Sequence, residues 1–134
     1  MEARMRLLIA TRNAHKTHEI AAILGSAWQV TDLTAHPDVP SPEETGATFA
    51  ENAEIKAVAA SRVFGGWVLA DDSGLEVDAL DGAPGVRSAR YAGPGATDAD
   101  NRAKLLRALD GVRGKARSGR FRCAMVLEIG RAHV

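Results

Sequence analysis

Four consecutive residues, Asp71-Asp72-Ser73-Gly74, have the types and the spacing for metal-phosphate chemistry. They follow a short apolar run at 67–70 that we interpret as a strand. A strand that delivers carboxylates onto a glycine-containing turn suits a magnesium-phosphate site, because Mg²⁺ usually takes one or two protein carboxylates together with substrate phosphate oxygens. An ordinary acidic turn between two strands explains the same residues, and a short motif alone does not separate the two interpretations.

A second candidate is the segment 11–16, TRNAHK, which lies between the first predicted strand and the first predicted helix. A helix N-terminus attracts phosphate because its first N–H groups are free and its dipole is positive there. Thr11 and Asn13 could hydrogen-bond phosphate oxygens, and Lys16 would add a point charge. The segment is not a Walker A loop. A polar N-capping turn is therefore the simpler alternative.

Further acidic residues occur in the segment 43–46, EETG, which precedes the long predicted helix. Their carboxylates could meet Asp71 and Asp72 across a cleft, or could be solvated and favour the positive end of the coming helix. Asn52 and Lys56 are four residues apart on that helix, so their side chains share a face. That face points either into the cleft or into solvent. Acids together with a lysine suit a site that holds a metal, phosphates and a water.

Other metal chemistries do not fit the sequence. The acidic run that begins at Asp71 lacks the EF-hand spacing of calcium sites. The four histidines have no zinc-binding spacing, and Cys123 is the sole cysteine, so it has no thiolate partner. Cys123 falls on the apolar face of a predicted strand. We therefore predict that it is a core residue and not a nucleophile.

The composition indicates one globular domain. The chain has 134 residues, 46% of them hydrophobic, which suffices for one core. Basic and acidic residues both number 17, so there is no excess positive charge for broad capture of nucleic acid or of an anionic membrane. The apolar run near the N-terminus is too short for a signal peptide or a membrane span. With one cysteine, the sequence is compatible with a reducing cytoplasm, where we expect the protein to be.

The predicted elements form an α/β domain that places these candidates near strand ends. Strands are predicted at 7–10, 28–33, 67–70, 75–80 and from Arg120 onward. Helices are predicted up to Gly25, from about 48 to 64, and from a Thr97/Asp100 capping box through Leu105, Leu106 and Leu109. Residues 34–48 are predicted to be a loop, because three prolines fall within them.

Two apolar faces are predicted within these elements. The stripe on the long helix consists of Phe49, Ala53, Ala57, Ala60 and Phe64. The face of the last strand consists of Phe121, Cys123, Met125 and Leu127.

The last seven residues, 128–134, do not fit the pattern and resemble translated adapter sequence. We expect a non-native tail at 128–134 and the N-terminal part of a single domain at 1–127. A strand so near the end also leaves the second face of the sheet without a cover. Tails of this kind are kept out of fold reasoning.

The sequence resembles the noncanonical purine nucleoside triphosphate pyrophosphatases, the inosine/xanthosine triphosphatases, from residue 6 to about 127. The resemblance rests on four ordered segments: ATRNAHKTHEIAAIL, EETGATFAENAEIKA, ADDSGLEVDALDGAPGVRSARYAG and ATDADNRAKLL. Four motifs at family spacing are far more specific than any one of them. The resemblance implies an elongated mixed β-sheet flanked by helices, with a nucleotide cleft between two lobes, and a homodimer for the full-length protein.

The resemblance also implies a reaction and its residues. The family hydrolyses ITP, dITP and XTP to the monophosphate and pyrophosphate, which keeps deaminated purines out of DNA and RNA. Glu44 and Asp72 would hold Mg²⁺, Asp72 would also be the candidate general base, and Ser73 would touch the substrate. Whether Asp72 is ligand, base or both stays open.

The remaining roles are carried over in two groups. The triphosphate contacts would be Thr11, Arg12, Asn13, Ala14, His15 and Lys16. The residues that orient phosphate, metal or water would be Asn52, Lys56 and Asp71, with Asp71 as a possible third metal ligand.

Two departures from the family pattern matter. Arg12 stands where many relatives have glycine, and it would either add a phosphate contact or point outward. The family's later aromatic-glycine-aspartate loop, a further lysine and a Ser-His-Arg segment do not occur in this sequence. We therefore expect the 134-residue chain to be weakly active or inactive.

Two alternatives stay open. One is an inactive nucleotide-binding or dimerisation fragment. The other is a related pyrophosphatase that acts on modified pyrimidine nucleotides, although the SxSxxR motif of that family is not present at 11–16.

Overall fold

The computed structural model describes residues 4–130. Within this part, four strands and three helices follow one another along the chain: β1 (Met5–Ile9), α1 (Ala14–Leu24), β2 (Trp28–Asp32), α2 (Phe49–Ser61), β3 (Trp67–Val77), α3 (Asp98–Ala108) and β4 (Gly119–Ile129). Short 3₁₀ segments occur at Asp78–Leu80, Gly85–Arg90 and Gly114–Arg117. The predicted α/β class and the order of its helices are confirmed. Among residues 4–130, no helix is long and apolar enough to cross a membrane.

The strands form one sheet with the order β2-β1-β3-β4. β1 runs parallel to β2 and to β3, and Ile9 lies opposite both Asp32 and Leu69. Arg120 of β4 contacts Asp78 just beyond β3, and Arg122 contacts Glu76 within it, so β4 runs antiparallel to β3. Because β1 is parallel to both neighbours, the polar residues that follow β1, β2 and the first half of β3 meet at one edge of the sheet.

The described chain divides into two compact units. The first contains residues 4–45, 50–71 and 125–130. Its core joins α2 to the strands, and the apolar stripe predicted on α2 is confirmed, since Ala53, Ala57 and Ala60 are at most 1% exposed. These small side chains let the helix approach Leu8 and Val68, which are fully buried beside it.

The second unit contains residues 46–49 and 72–124. Its helix α3 begins with the predicted capping box, in which Thr97 accepts from the Asp100 N–H at 3.1 Å and Asp100 accepts from the Thr97 N–H at 3.0 Å. The pKa of the Asp100 carboxyl is lowered, first by the hydrogen bond from the Thr97 N–H and then by one from the Thr97 side chain. Asp81, which follows the 3₁₀ segment Asp78–Leu80, has a positive φ of 57°.

The prediction of two short strands with a turn between them at Asp71–Gly74 was wrong. A single strand, β3, runs through the acidic residues, and residues 78–80 are 3₁₀ instead of strand. Gly74 is needed for close packing and not for a turn. A Cβ atom there would lie 2.5 Å from the carbonyl oxygen of Gly85 and 2.6 Å from Oγ of Ser88.

The prediction that Cys123 is a core residue was also wrong, because Cys123 is exposed. The alternation along β4 is confirmed, but its apolar face lies open: Phe121 is 84% exposed and Met125 57%. β4 is the outer strand of the described sheet. Periodicity identifies which residues share a face of a strand, but it does not say whether that face is covered. The predicted tail begins inside β4, with Glu128 and Ile129, and its residues 131–134 lie outside the described part.

Candidate functional site

The turn after β1 is held by an N-cap. Asn13 lies outside the helix with extended backbone angles, and its side-chain oxygen accepts from the N–H groups of His15 and Lys16. The N–H of Asn13 in turn donates to Oγ1 of Thr11 at 3.1 Å. The cap therefore uses two of the helix N–H groups. This leaves side-chain donors, above all the Lys16 ammonium, as the groups best placed to receive an anion here.

Lys16 and Asp71 form an ion pair within the first unit. The Nζ atom of Lys16 lies 2.9 Å from Oδ1 and 2.8 Å from Oδ2 of Asp71, so it donates to both carboxylate oxygens. The side chains are 34% and 11% exposed, respectively. The pair joins α1 to β3 at the edge where the parallel strands end. It places an ammonium group in partly desolvated surroundings, where its charge acts more strongly than in water.

A cavity of about 190 Å³ lies in the same unit. Its wall includes four polar side chains, Arg12, Ser41, Glu44 and Lys56, together with apolar groups from the residue after β1, from the loop after β2 and from α2. Nζ of Lys56 lies 3.6 Å from Oε1 of Glu44, and both side chains are about a quarter to a third exposed. Two cations and a carboxylate thus line one concavity, which suits a ligand that carries phosphate.

The guanidinium of Arg12 contacts the loop after β2. Its Nη1 donates to the carbonyl of Leu33 at 3.3 Å, and its Nη2 donates to the carbonyl of Val39 at 3.1 Å. Nη2 also lies 3.4 Å from Oγ of Ser41. Arg12 therefore ties the turn after β1 to the loop after β2.

Asn52 is fully buried, while Lys56 on the same face of α2 is partly exposed. The side chain of Asn52 therefore does not point into solvent, which was one of the two directions left open for this face.

Asp32, at the end of β2, is a buried acid that supports the elements of the site and that the motifs did not indicate. It is 6% exposed and accepts from the hydroxyl groups of Thr17 and Thr34 and from the Thr34 N–H. Burial by itself would raise the pKa of Asp32, but these hydrogen bonds outweigh it and hold the pKa below its usual value. Asp32 thereby anchors α1, which carries Lys16, to β2. An Asp two residues before a Thr at a strand end is typical of an Asx turn, and that spacing is visible in the sequence.

Asp72 and Ser73 belong to the second unit. Asp72 is the next residue after Asp71 in β3, and its Oδ2 atom is buried. Ser73 is exposed. Successive side chains on a strand point to opposite faces, so the side chains of Asp71 and Asp72 lie on opposite faces of β3.

The structure thus brings some of the predicted residues together within the first unit. Lys16 contacts Asp71, Glu44 contacts Lys56, and Arg12 lines the same cavity as that pair. Thr11 and Asn13 hydrogen-bond to each other in the loop between β1 and α1. Ala14 and His15 are exposed in the first turn of α1. Among residues 4–130, no three His, Cys, Asp or Glu side chains lie close enough to form a metal cage.

The fold and these groups define an α/β protein whose polar residues gather at the carboxyl ends of parallel strands, an arrangement typical of phosphate ligands. The sequence profile of the Ham1 family matches residues 7–134. The chain belongs to the Ham1 family.

Individual relatives agree with this assignment. A dITP/XTP pyrophosphatase of Geobacillus kaustophilus is 55% identical over 92% of this chain and 61% of its own length. One of Exiguobacterium sibiricum is 52% identical over 92% of this chain and 63% of its own. The structure of a HAM1 protein from Coxiella burnetii superposes with a TM-score of 0.86 at 41% identity, covering 96% of this chain and 65% of that one. The chain therefore spans less than two thirds of the length of these relatives.

Proposed function

We propose that this chain carries the phosphate-binding part of a pyrophosphatase that hydrolyses ITP, dITP and XTP to the monophosphate and pyrophosphate. The names of its relatives support the substrate class. The observation that carries the proposal is the Lys16–Asp71 pair, which sets a partly desolvated cation at the carboxyl edge of the sheet. The cavity lined by Arg12, Glu44 and Lys56 in the same unit supports it.

A nucleoside triphosphate carries several negative charges, so its binding needs cations before any chemistry takes place. An ammonium group has three N–H donors, and Lys16 directs two of them to Asp71. The third donor is left for a phosphate oxygen, and Asp71 fixes its direction. Lys56 supplies a second cation close to Glu44. In this proposal Asp71 orients Lys16, and Thr11 and Asn13 shape the turn that holds it.

Mg²⁺ fits the type of donor that these residues offer. Carboxylate oxygens are the protein ligands that Mg²⁺ prefers, and one or two of them suffice when substrate phosphates complete the coordination. We propose Glu44 and Asp72 for this role, because both oxygens of Asp71 already accept from Lys16. A bound Mg²⁺ would neutralise phosphate charge and lower the pKa of a water molecule.

Asp72 is the proposed general base. In this scheme its carboxylate accepts the proton of the attacking water, the new P–O bond forms, and pyrophosphate leaves with the electrons of the broken anhydride bond. Ser73, which is exposed beside Asp72, is the proposed contact to substrate. A general base of this kind contributes about 10²–10⁴-fold to the rate.

Pyrophosphate release by the 134-residue chain tests the proposal, with ITP, XTP, GTP and ATP as substrates and with or without Mg²⁺. We expect any turnover to need Mg²⁺, to favour ITP and XTP, and to fall by about 10²-fold or more in Asp72→Asn. Asp110→Asn, an exposed aspartate of the same unit, is the matched control. Equal cleavage of ATP, or full activity of Asp72→Asn, contradicts the proposal. Binding of ITP without turnover would identify an inactive nucleotide-binding chain.

A further inference from the structure

Arg12 connects two parts of the first unit that are distant in sequence. Its three hydrogen-bond acceptors are the carbonyl oxygens of Leu33 and Val39 and Oγ of Ser41, which are 21, 27 and 29 residues away. A guanidinium group is a planar fork with several donors, so one arginine can hold several acceptors in a fixed geometry. A lysine has one nitrogen, so it lacks the fork by which Nη1 and Nη2 of Arg12 donate to different acceptors.

The segment 33–41 lacks a helix or strand of its own. Within it, the N–H of His36 donates to Leu33 and the N–H of Val39 donates to His36, which makes a short series of turns. The N–H of Leu33 donates to the carbonyl of Thr11 at 3.0 Å. Arg12 adds bonds at Leu33, where the segment begins, and at Val39 and Ser41, where it ends. Both ends of the segment are therefore tied to the turn after β1.

The far end of this segment forms a wall of the polar cavity. Val39, Pro40, Ser41, Pro42 and Glu44 all line it, together with Arg12 and Lys56. Val39 is 2% exposed and belongs to the core cluster. The wall is therefore held by the packing of Val39 and by the hydrogen bonds from Arg12. The position of Glu44 depends on where this wall stands, because only two residues separate Glu44 from Ser41.

We propose that Arg12 is a positioning residue that fixes the segment 33–41, and with it the wall of the cavity that carries Glu44. The effect of Arg12 on the loop is independent of the proposed function. Its effect on substrate binding rests on the proposed function. Arg12 acts through the loop, because its guanidinium group makes three hydrogen bonds to this segment, at Leu33, Val39 and Ser41.

Hydrogen exchange of the 134-residue chain tests the proposal without reference to activity. In Arg12→Ala we expect the amides of the segment 33–41 to exchange about tenfold faster, while those of β1 and α2 keep their rates. Arg12→Lys should behave like Arg12→Ala. Ser41→Ala removes one acceptor and should give a smaller change confined to the end of the segment. Arg62→Ala, an exposed arginine of the same unit, should leave the exchange unchanged.

Binding of inorganic tripolyphosphate, measured by calorimetry, separates this role from direct phosphate contact. We expect Arg12→Ala and Arg12→Lys to lose affinity alike, by about three- to tenfold. The proposal is overturned if exchange in 33–41 stays at the parental rate while Arg12→Lys retains the affinity that Arg12→Ala loses. If exchange is faster in Arg12→Ala and Arg12→Lys but the parent chain binds no tripolyphosphate, the positioning role of Arg12 is supported and the proposed function is contradicted.

Discussion

The ion pairs of the two units lie in different surroundings. In the first unit, Asp71 of the Lys16–Asp71 pair is 11% exposed, and the pair joins a helix to a central strand. In the second unit, Arg120–Asp78 joins β4 to the end of β3, and both side chains are nearly half exposed. Water screens an exposed pair, so it contributes little to stability. A partly buried pair is costly to form unless the surrounding structure holds it in place.

The cores of the two units account for this difference. Most buried apolar side chains of the described chain belong to the first unit, whereas Phe49, Val77 and Leu109 represent the second. A densely packed core fixes the strand ends above it, so charged groups placed there keep one geometry. We infer that the first unit is built to hold charge in position. The Arg120–Asp78 pair of the second unit lies on its surface.

The largest expected effect comes from breaking the core of the first unit. Leu8 is fully buried between strands and α2, so Leu8→Ala should lower the free energy of unfolding by about 3 kcal/mol. Leu106→Ala, in a second-unit residue that is 60% exposed, should change it by less than about 0.5 kcal/mol. Urea unfolding followed by tryptophan fluorescence measures both. Equal losses in the two variants would show that Leu8 is not held in a packed core as described.

A smaller effect is expected at Asp32, and it depends on pH. The folded-state pKa of Asp32 lies below its usual value of 3.8, so the ionised carboxylate stabilises the fold. That contribution is complete above the unfolded-state pKa and is lost as the pH falls through the lower folded-state pKa. Asp32→Asn should therefore cost about 1–2 kcal/mol at neutral pH, and the difference from the parent should narrow below pH 3.8.

Asp38→Asn is the control for this experiment, because Asp38 is exposed in the loop after β2. Its unfolding free energy at neutral pH should equal that of the parent, because its side chain is exposed. A difference between Asp32→Asn and the parent that persists undiminished at about pH 3 would contradict the account of the Asp32 carboxylate.

Much of the fold could be predicted from the sequence, because local signals decide it. The stripe on α2, the Thr97/Asp100 capping box and the glycine that ends α1 each act within a few residues, and the structure contains all three. Gly74 was misinterpreted because its role depends on Gly85 and Ser88, which approach it only after folding. The exposure of Cys123 depends in the same way on what covers β4.

The candidate site shows the same limit. Motifs indicated which residues carry the chemistry, but not which of them contact one another. The Lys16–Asp71 pair spans 55 residues, and the bonds from Arg12 to the loop after β2 span up to 29. Their partners follow from strand order, and a residue pattern does not give strand order. The bond from Thr17 to Asp32 shows the same limit, since Thr17 comes from the neighbouring helix, whereas the spacing of Asp32 and Thr34 is visible in the sequence.

The central claim is that the first unit positions a cation for phosphate. The affinity for ITP is the most direct test of this claim. Two variants are matched, because each removes the cation of one ion pair: Lys16→Gln in the first unit and Arg122→Gln in the second. Calorimetric titration of the parent with ITP and Mg²⁺ gives the reference Kd. We expect Lys16→Gln to weaken binding by about tenfold or more, which corresponds to about 1.4 kcal/mol, and Arg122→Gln to leave it unchanged. Equal affinity of Lys16→Gln and the parent, or equal losses in both variants, would contradict the claim.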